Sequence, residues 1–385
     1  MIKRKVCVVV TARPSYARVK SALKAISEHP DLELQLVVAA SALLDRYGNT
    51  ISNIEKDGFK IAARVYMVLE GENLVTSAKS TGLGLVELAT VFDKLMPDVV
   101  ITIADRYETL ATAVAASYMN IPLAHIQGGE VTGSIDEKVR HAVTKLSDLH
   151  FVSTKKAAER VIRMGEDPST VFFTGCPSID LAASIMEKPS MDFDPFTRYG
   201  GVGTKLDISN GYIVVMQHPV TTEYEDARHQ IMETLHAVRE LDMPTLWFWP
   251  NVDAGSDEIS KGIRMFRENN GDVKIHFFKN MVPEDFLRLV YNSICIIGNS
   301  SVAIRECSFM GVPTVNIGTR QIGRERGKNV IDVGYDRKAI VEAVGTHMNS
   351  GRSPPQVIYG DGKAGQRIAE LLARSSLRIE KRLTY

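Results

Sequence analysis

Short runs of β-branched and aliphatic residues alternate with longer helical stretches along the whole chain, and this alternation constrains the fold more than any other feature. Before residue 187 the candidate strands are 6–12, 34–40, 65–69, 99–104, 122–126, 150–153 and 171–174, each bounded by Gly, Pro, Asp or Asn. Apolar residues occupy both faces of these runs, which predicts a parallel sheet covered by helices above and below. Between 187 and 210 the alternation gives way to a stretch rich in Pro, Asp, Gly and Ser that reads as a linker. A second series follows, with strands at 212–216, 245–249, 273–278, 294–297, 314–317 and 330–333, and then a final helix over 364–381. The length of 385 residues fits two domains. The expected fold class is therefore α/β, with two doubly wound Rossmann-like domains facing a central cleft. They are expected at 1–185 and 186–362, with a C-terminal helix in 363–385 packing back on the N-terminal domain. In such folds ligands bind outside the C-terminal strand ends, so functional residues are expected just after strands.

Lys plus Arg number 46 and Asp plus Glu number 46, leaving no global field to attract nucleic acid or anionic lipid. An anionic ligand must be held by local groups, and neither a nucleic-acid nor a membrane partner is expected. Cys7, Cys176, Cys295 and Cys307 form no CxxC pair and lie in apolar surroundings, which suits buried thiols in a reducing compartment. The basic prefix leads into an apolar run too short for a signal segment, and no stretch nears the roughly 18 apolar residues of a membrane helix. A cytoplasmic protein is expected.

No GxGxxG follows the first strand, and neither GxxxxGKS nor GxxxxGKT occurs, so dinucleotide and P-loop fingerprints are both lacking. Other strand ends carry anion-binding chemistry. The Thr11-Ala12-Arg13-Pro14-Ser15 segment either presents an arginine and helix amides to an anion or is a capping turn with a surface arginine. Ser300 and Ser301, after Gly298-Asn299, suit phosphate oxygens at a strand-to-helix turn, although ordinary helix caps look the same. The glycine-rich loop 318–327 strengthens the first reading. It carries Arg320, Arg324 and Arg326, whose rigid guanidinium fork donates parallel bonds to phosphate. His218 stands at the mouth of the second domain, where an imidazole fits a structural role as well as a functional one. Asn251 lies in a turn, 250–255, that can also touch a ligand.

The acidic groups gather in the first half. Asp105 and Arg106 follow the 99–104 run, Gln127 and Glu130 follow the next strand, and Asp136 comes after them. Carboxylates at strand ends supply general acid and base at a common cleft. Ser134 and Glu137 also fit a capping box, in which Asp136 merely favours the helix dipole. The histidines make no HExxH or HxH pattern. Glu137 and His141 have helical spacing but basic neighbours, so no metal site is expected.

Six blocks in this order resemble the hydrolysing UDP-N-acetylglucosamine 2-epimerase family: ADRYETLA at 104–111, HIQGGEVTGSIDEKVRHAVTKL at 125–146, QHPVTTEY at 217–224, PNVDAGSD at 250–257, GNSSVAIRE at 298–306 and NIGTRQIGRERG at 316–327. Members release free N-acetylmannosamine or a related sugar for sialic-acid-type biosynthesis, and their fold is called glycosyltransferase-B. The resemblance implies that Arg13, His218, Ser300, Ser301, Glu306 and Arg320 hold UDP, with Glu306 accepting from the ribose hydroxyls. Asp105, Glu130 and Asp136 would face the sugar, and Arg106 would sit between sugar and phosphate. No cofactor is implied, the partner is the UDP-sugar, and a homo-oligomer (dimer or tetramer) is expected. One departure stands out: many members have Glu where this chain has Gln127, and a carboxamide exchanges no proton near neutral pH. The branch then relies on Asp105, Glu130 or Asp136.

The C2–H of a sugar is not adjacent to a carbonyl, so direct abstraction is unfavourable. Departure of UDP leaves an oxocarbenium-like C1 that acidifies this proton. A carboxylate then removes it to give a 2-acetamidoglycal, and water adds back with inverted C2 configuration. UDP-N-acetylglucosamine and 2,4-diacetamido-6-deoxy nucleotide sugars are the expected substrates. The alternatives are a glycosyltransferase of the same fold, a non-hydrolysing epimerase, and a non-catalytic UDP-sugar-binding protein motivated by Gln127.

Overall fold

Val6, Val8 and Val10 of strand β1 (Arg4–Val10) are buried among Tyr16, Leu23, Ile26, Ile368 and Leu372, while Cys7 and Val9 are buried on the opposite face with Leu88, Phe92, Ala111 and Val143. Successive strand residues point to opposite faces, so a strand apolar at every position needs cover on both sides. In the computed structural model, which describes residues 2–44, 50–70, 74–132, 135–250, 255–271 and 273–384, helices supply that cover.

The first unit comprises Met1–Val131, Ile135–Leu181 and Tyr359–Tyr385. Its remaining strands are β2 (Leu32–Ala39), β3 (Ile61–Val65), β4 (Val99–Ile103), β5 (Leu123–Ile126), β6 (Leu149–Val152) and β7 (Val171–Phe173), all parallel, in the order β3-β2-β1-β4-β5-β6-β7. The second unit includes Ala182–Ile358. It holds β8 (Ile213–Met216), β9 (Thr245–Phe248), β10 (Ile275–Phe278), β11 (Cys295–Gly298), β12 (Thr314–Ile317) and β13 (Val330–Val333), in the order β10-β9-β8-β11-β12-β13. Its core packs Ile213, Val215 and Trp247 against Ile231, Leu235 and Phe266. In each sheet the strand order reverses beside the first strand, between β1 and β4 and between β8 and β11. At such switch points the loops diverge and leave a crevice.

Three local features differ from the sequence expectation. The third strand is 61–65 rather than 65–69: it is an edge strand with alternating burial, so its own signal is weaker than that of the apolar run beyond it. The last helix, Ala364–Arg374, stops seven residues before Lys381, with Ser375 extended. Lys381 instead donates to the carbonyls of Thr144 and Ser147 and pairs with Glu166, contacts made after the chain has left the helix. The linker-like stretch contains a short helix, Pro195–Tyr199, capped by Asp194, and Val202 bridges Phe277 on the edge strand β10. The four cysteines are buried. Among the described residues no helix is long and apolar enough to cross a membrane.

Candidate active site

In the second unit the site is built on a bare backbone contact. Gly298, the last residue of β11, lies opposite Met216, the last of β8. Its φ is 133°, and a Cβ there would sit 2.1 Å from the Met216 carbonyl oxygen, so glycine alone lets these strand ends meet. Asn299 follows, fully buried. Its Oδ1 accepts from the His218 backbone N–H at 2.7 Å and its Nδ2 donates to the His218 carbonyl at 2.8 Å. The Asn299 carbonyl accepts from the Arg320 guanidinium at 3.2 Å and from the Gln321 carboxamide at 2.8 Å. One residue thus joins the His218 loop, the serine turn and the arginine loop.

Ser300 caps the short helix Ser301–Ile304, and Glu306 opens the next one, Glu306–Met310. Glu306 is buried, and its Oε2 has no hydrogen-bond partner among the described residues. A buried carboxylate oxygen in that state costs free energy unless a ligand donates to it. The same end of the arginine loop is also held by Glu223, which accepts from the Thr319 hydroxyl, from Gln230 at 2.9 Å and from the Tyr335 hydroxyl at 3.2 Å. Asn251 lies outside the described residues.

The first unit gathers the acidic groups. Arg13 is the first residue of the helix Arg13–Glu28, directly after β1, and burial lowers its pKa only to about 10, so it stays charged at neutral pH. Beside it in the sheet, β4 ends at Ile103 and leads into Asp105 and Arg106. Asp105 is buried in an ion pair with Arg140 of the helix Ile135–Leu146. Arg106 caps the helix Tyr107–Tyr118 and pairs with the buried Glu108 at 3.2 Å. Gln127 and Glu130, both buried, follow β5. The Gln127 amide donates to the Cys176 thiol sulfur at 2.9 Å, and that sulfur lies 2.9 Å from the Ser178 hydroxyl. Asp136 stands in the first turn of Ile135–Leu146, and Glu137 meets His141 at 3.2 Å. No group of three or more metal-ligating side chains occurs among the described residues.

Two of these strand ends are strained. Ala104 (φ 66°) and Gln127 (φ 70°) are left-handed although neither is glycine, and such residues concentrate at functional sites. Gly129 is left-handed too, and a Cβ there would come within 2.3 Å of the Ala157 carbonyl oxygen. His125 fixes this turn from beneath: one ring nitrogen lies 2.8 Å from the Ala104 carbonyl and the other 3.1 Å from the Thr144 hydroxyl. Burial drives its pKa down to about 4. At neutral pH Nε2–H therefore donates to Ala104 and Nδ1 accepts from Thr144.

Sequence reasoning missed Asn299, Glu223 and Arg140. Asn299 and Glu223 lie inside the motif blocks and were overshadowed by the serines and arginines around them. Arg140 is 35 positions from its partner Asp105, and nothing in the local spacing marks the pair.

The model of the UDP-N-acetylglucosamine 2-epimerase family matches residues 24–373. The chain belongs to the UDP-N-acetylglucosamine 2-epimerase family. Among its relatives, the UDP-N,N'-diacetylbacillosamine 2-epimerase (hydrolyzing) of Legionella pneumophila is 34% identical, covering 96% of this chain and 95% of that one. The polysialic acid biosynthesis protein P7 of Escherichia coli is 34% identical over 89% of this chain and 85% of its own length. The fold of this 2-epimerase family member is also that of the Methanocaldococcus jannaschii UDP-GlcNAc 2-epimerase solved with UDP-GlcNAc and UDP. The two share a TM-score of 0.78 at 18% identity, over 96% of this chain and all of that one. Two parallel-sheet α/β domains of the glycosyltransferase-B type are therefore the architecture of this family member.

Proposed function

We propose that this protein is a hydrolysing 2-epimerase of a UDP-2-acetamido sugar, converting it with water to UDP and the free 2-epimer. One observation carries the reading beyond family membership. The second unit's switch point combines an imidazole, two serines, an arginine and the buried Glu306 oxygen that has no partner among the described residues. This is a donor set for a diphosphate together with an acceptor for ribose hydroxyls. In this reading Arg13, His218, Ser300, Ser301 and Arg320 bind UDP and stabilise the charge that grows on the departing diphosphate, as fixed donors in a water-poor site do well. Asn251 belongs to the same binding set.

Asp105, Glu130 and Asp136 serve the sugar, with Arg106 between sugar and phosphate. C1–O cleavage takes the bonding pair to UDP, a carboxylate accepts the C2 proton, and the electrons of that C–H bond form the C1–C2 double bond. Water then delivers hydroxyl to C1 while C2 is protonated on the opposite face. Asp105, paired with Arg140, acts as an acceptor, because an ion-paired carboxylate has no proton to give. Gln127 contributes hydrogen bonding rather than proton transfer.

The names of relatives at 34% and 32% identity favour a 2,4-diacetamido-6-deoxy sugar, with UDP-N-acetylglucosamine as the second substrate reading from a relative at 29%. Buried thiols suit the reducing cytoplasm, and a homo-oligomer accompanies this reading. Incubating the protein with each nucleotide sugar alone tests it. UDP and a free inverted sugar are expected without any acceptor. An intact UDP-sugar epimer, or turnover only when an acceptor is added, would overturn it.

A further inference from the structure

We infer that Asn299 is a positioning residue for nucleotide binding, holding the His218 and Arg320 loops in one arrangement before the ligand arrives; the inference rests on the UDP-binding reading. Its side chain spends both amide functions on the backbone of His218, at 2.7 and 2.8 Å. Its carbonyl receives Arg320 at 3.2 Å and Gln321 at 2.8 Å. Its own N–H reaches the Met216 carbonyl at 3.2 Å.

Each polar atom of Asn299 therefore has a partner inside the protein. The loops it joins start from three different strands, and Asn299 bonds to both His218 and Arg320. The alternative residue types fail on chemistry. Serine reaches neither partner pair at once, and aspartate keeps the acceptor for the His218 N–H but sets an oxygen against the His218 carbonyl. Aspartate also adds negative charge beside an anion site.

The gain is preorganisation. A guanidinium already seated on a carbonyl, and an imidazole whose backbone is pinned on both sides, lose less freedom when the diphosphate binds. Without the Asn299 side chain, the buried His218 N–H and carbonyl must find other partners, and the main-chain carbonyl that receives Arg320 and Gln321 is no longer tied to the His218 loop.

The test is UDP affinity by titration calorimetry for the wild type, Asn299→Ala and Tyr212→Phe, with thermal unfolding of each. Tyr212 donates a buried hydrogen bond to the Leu289 carbonyl at 2.6 Å just before β8 begins, at the end of that strand opposite the site. Tyr212→Phe thus reports general destabilisation of the same unit. Asn299→Ala is expected to weaken UDP binding roughly 10- to 100-fold, while Tyr212→Phe stays within about twofold of wild type. The His218 ring resonances, followed by NMR, are expected to shift in Asn299→Ala only.

If Asn299→Ala does not fold, Gln321→Ala, which removes one donor to the Asn299 carbonyl, takes its place with an expected weakening of about fivefold. Equal affinity in the wild type and the variant, or equal losses in the variant and Tyr212→Phe, would overturn the inference alone. A wild type that binds no UDP would overturn the nucleotide reading and this inference with it.

Discussion

Arg140 and Asp105 form a buried ion pair that ties the helix after β5 to the strand end of β4. The guanidinium is almost wholly shielded from water, so an ion pair to it is desolvated. Replacing one member of a buried pair costs far more than the pair contributes, because the other charge is left uncompensated.

Arg140→Met should therefore lower unfolding stability by about 3 kcal/mol. Adding Asp105→Asn to Arg140→Met should cost less than the sum of the two single changes, since the orphaned carboxylate is removed. Urea denaturation of the four proteins in this cycle measures the coupling; strict additivity would mean that the pair does not exist in solution.

Glu130 is buried next to the left-handed Gly129, and glutamine keeps its shape while removing its charge and its exchangeable proton. Glu130→Gln is expected to lower kcat about 10²- to 10⁴-fold, the usual worth of a general acid or base, with UDP affinity nearly unchanged. Turnover at the wild-type rate would remove Glu130 from the chemistry.

Gln127 offers a reciprocal test. Its carboxamide donates to Cys176 in a buried, left-handed setting. A carboxylate there has no N–H and must bury charge, so Gln127→Glu should destabilise by about 1–3 kcal/mol without raising kcat. A tenfold gain in kcat would show that the acid/base position lies at 127.

His125 makes stability depend on pH. Its folded pKa is about 4 against an ordinary 6.5, with burial as the main cause, and the neighbouring His150 is shifted the same way by burial. The unfolded chain therefore binds the proton more readily. The stabilisation is complete above pH 6.5 and is lost as pH falls toward 4, by on the order of 3 kcal/mol for His125. Glu166, held near pKa 2 by its hydrogen bonds to His150, Lys145 and Lys381 despite burial, loses its contribution only below about pH 4.5. Between pH 7 and 5 the histidines act against Asp148, whose carboxyl is pushed up to about 6 by burial and which stabilises the folded state as it protonates, so His125 is isolated by comparing denaturant unfolding of the wild type with that of a variant at that position alone. His125→Gln should flatten the slope, and an unchanged slope would count against the assignment.

The fold class was legible because central parallel strands such as β1 and β4 carry runs buried on both faces, Val6 to Val10 and Val99 to Ile103, a pattern few other structures produce. The edge strand β3 was not, because a strand with one neighbour alternates and competes poorly with the apolar run after it. Asp105, Gln127, His218 and Ser300 stand just after strand ends, where topology makes them readable. Their supports are not: Asn299 acts through backbone groups of loops 81 and 21 positions away, and Arg140 through a carboxylate on a different connection. Such pairings are decided by the sheet order and leave no local spacing to read.

The central claim is that expulsion of UDP loosens the hydrogen at C2, and NMR of the reaction in heavy water tests it most directly. A UDP-2-acetamido sugar incubated with the protein should yield UDP and a free 2-epimer carrying one deuterium at C2. A free inverted sugar that keeps its original C2 hydrogen, or a liberated sugar without inversion, would contradict the account.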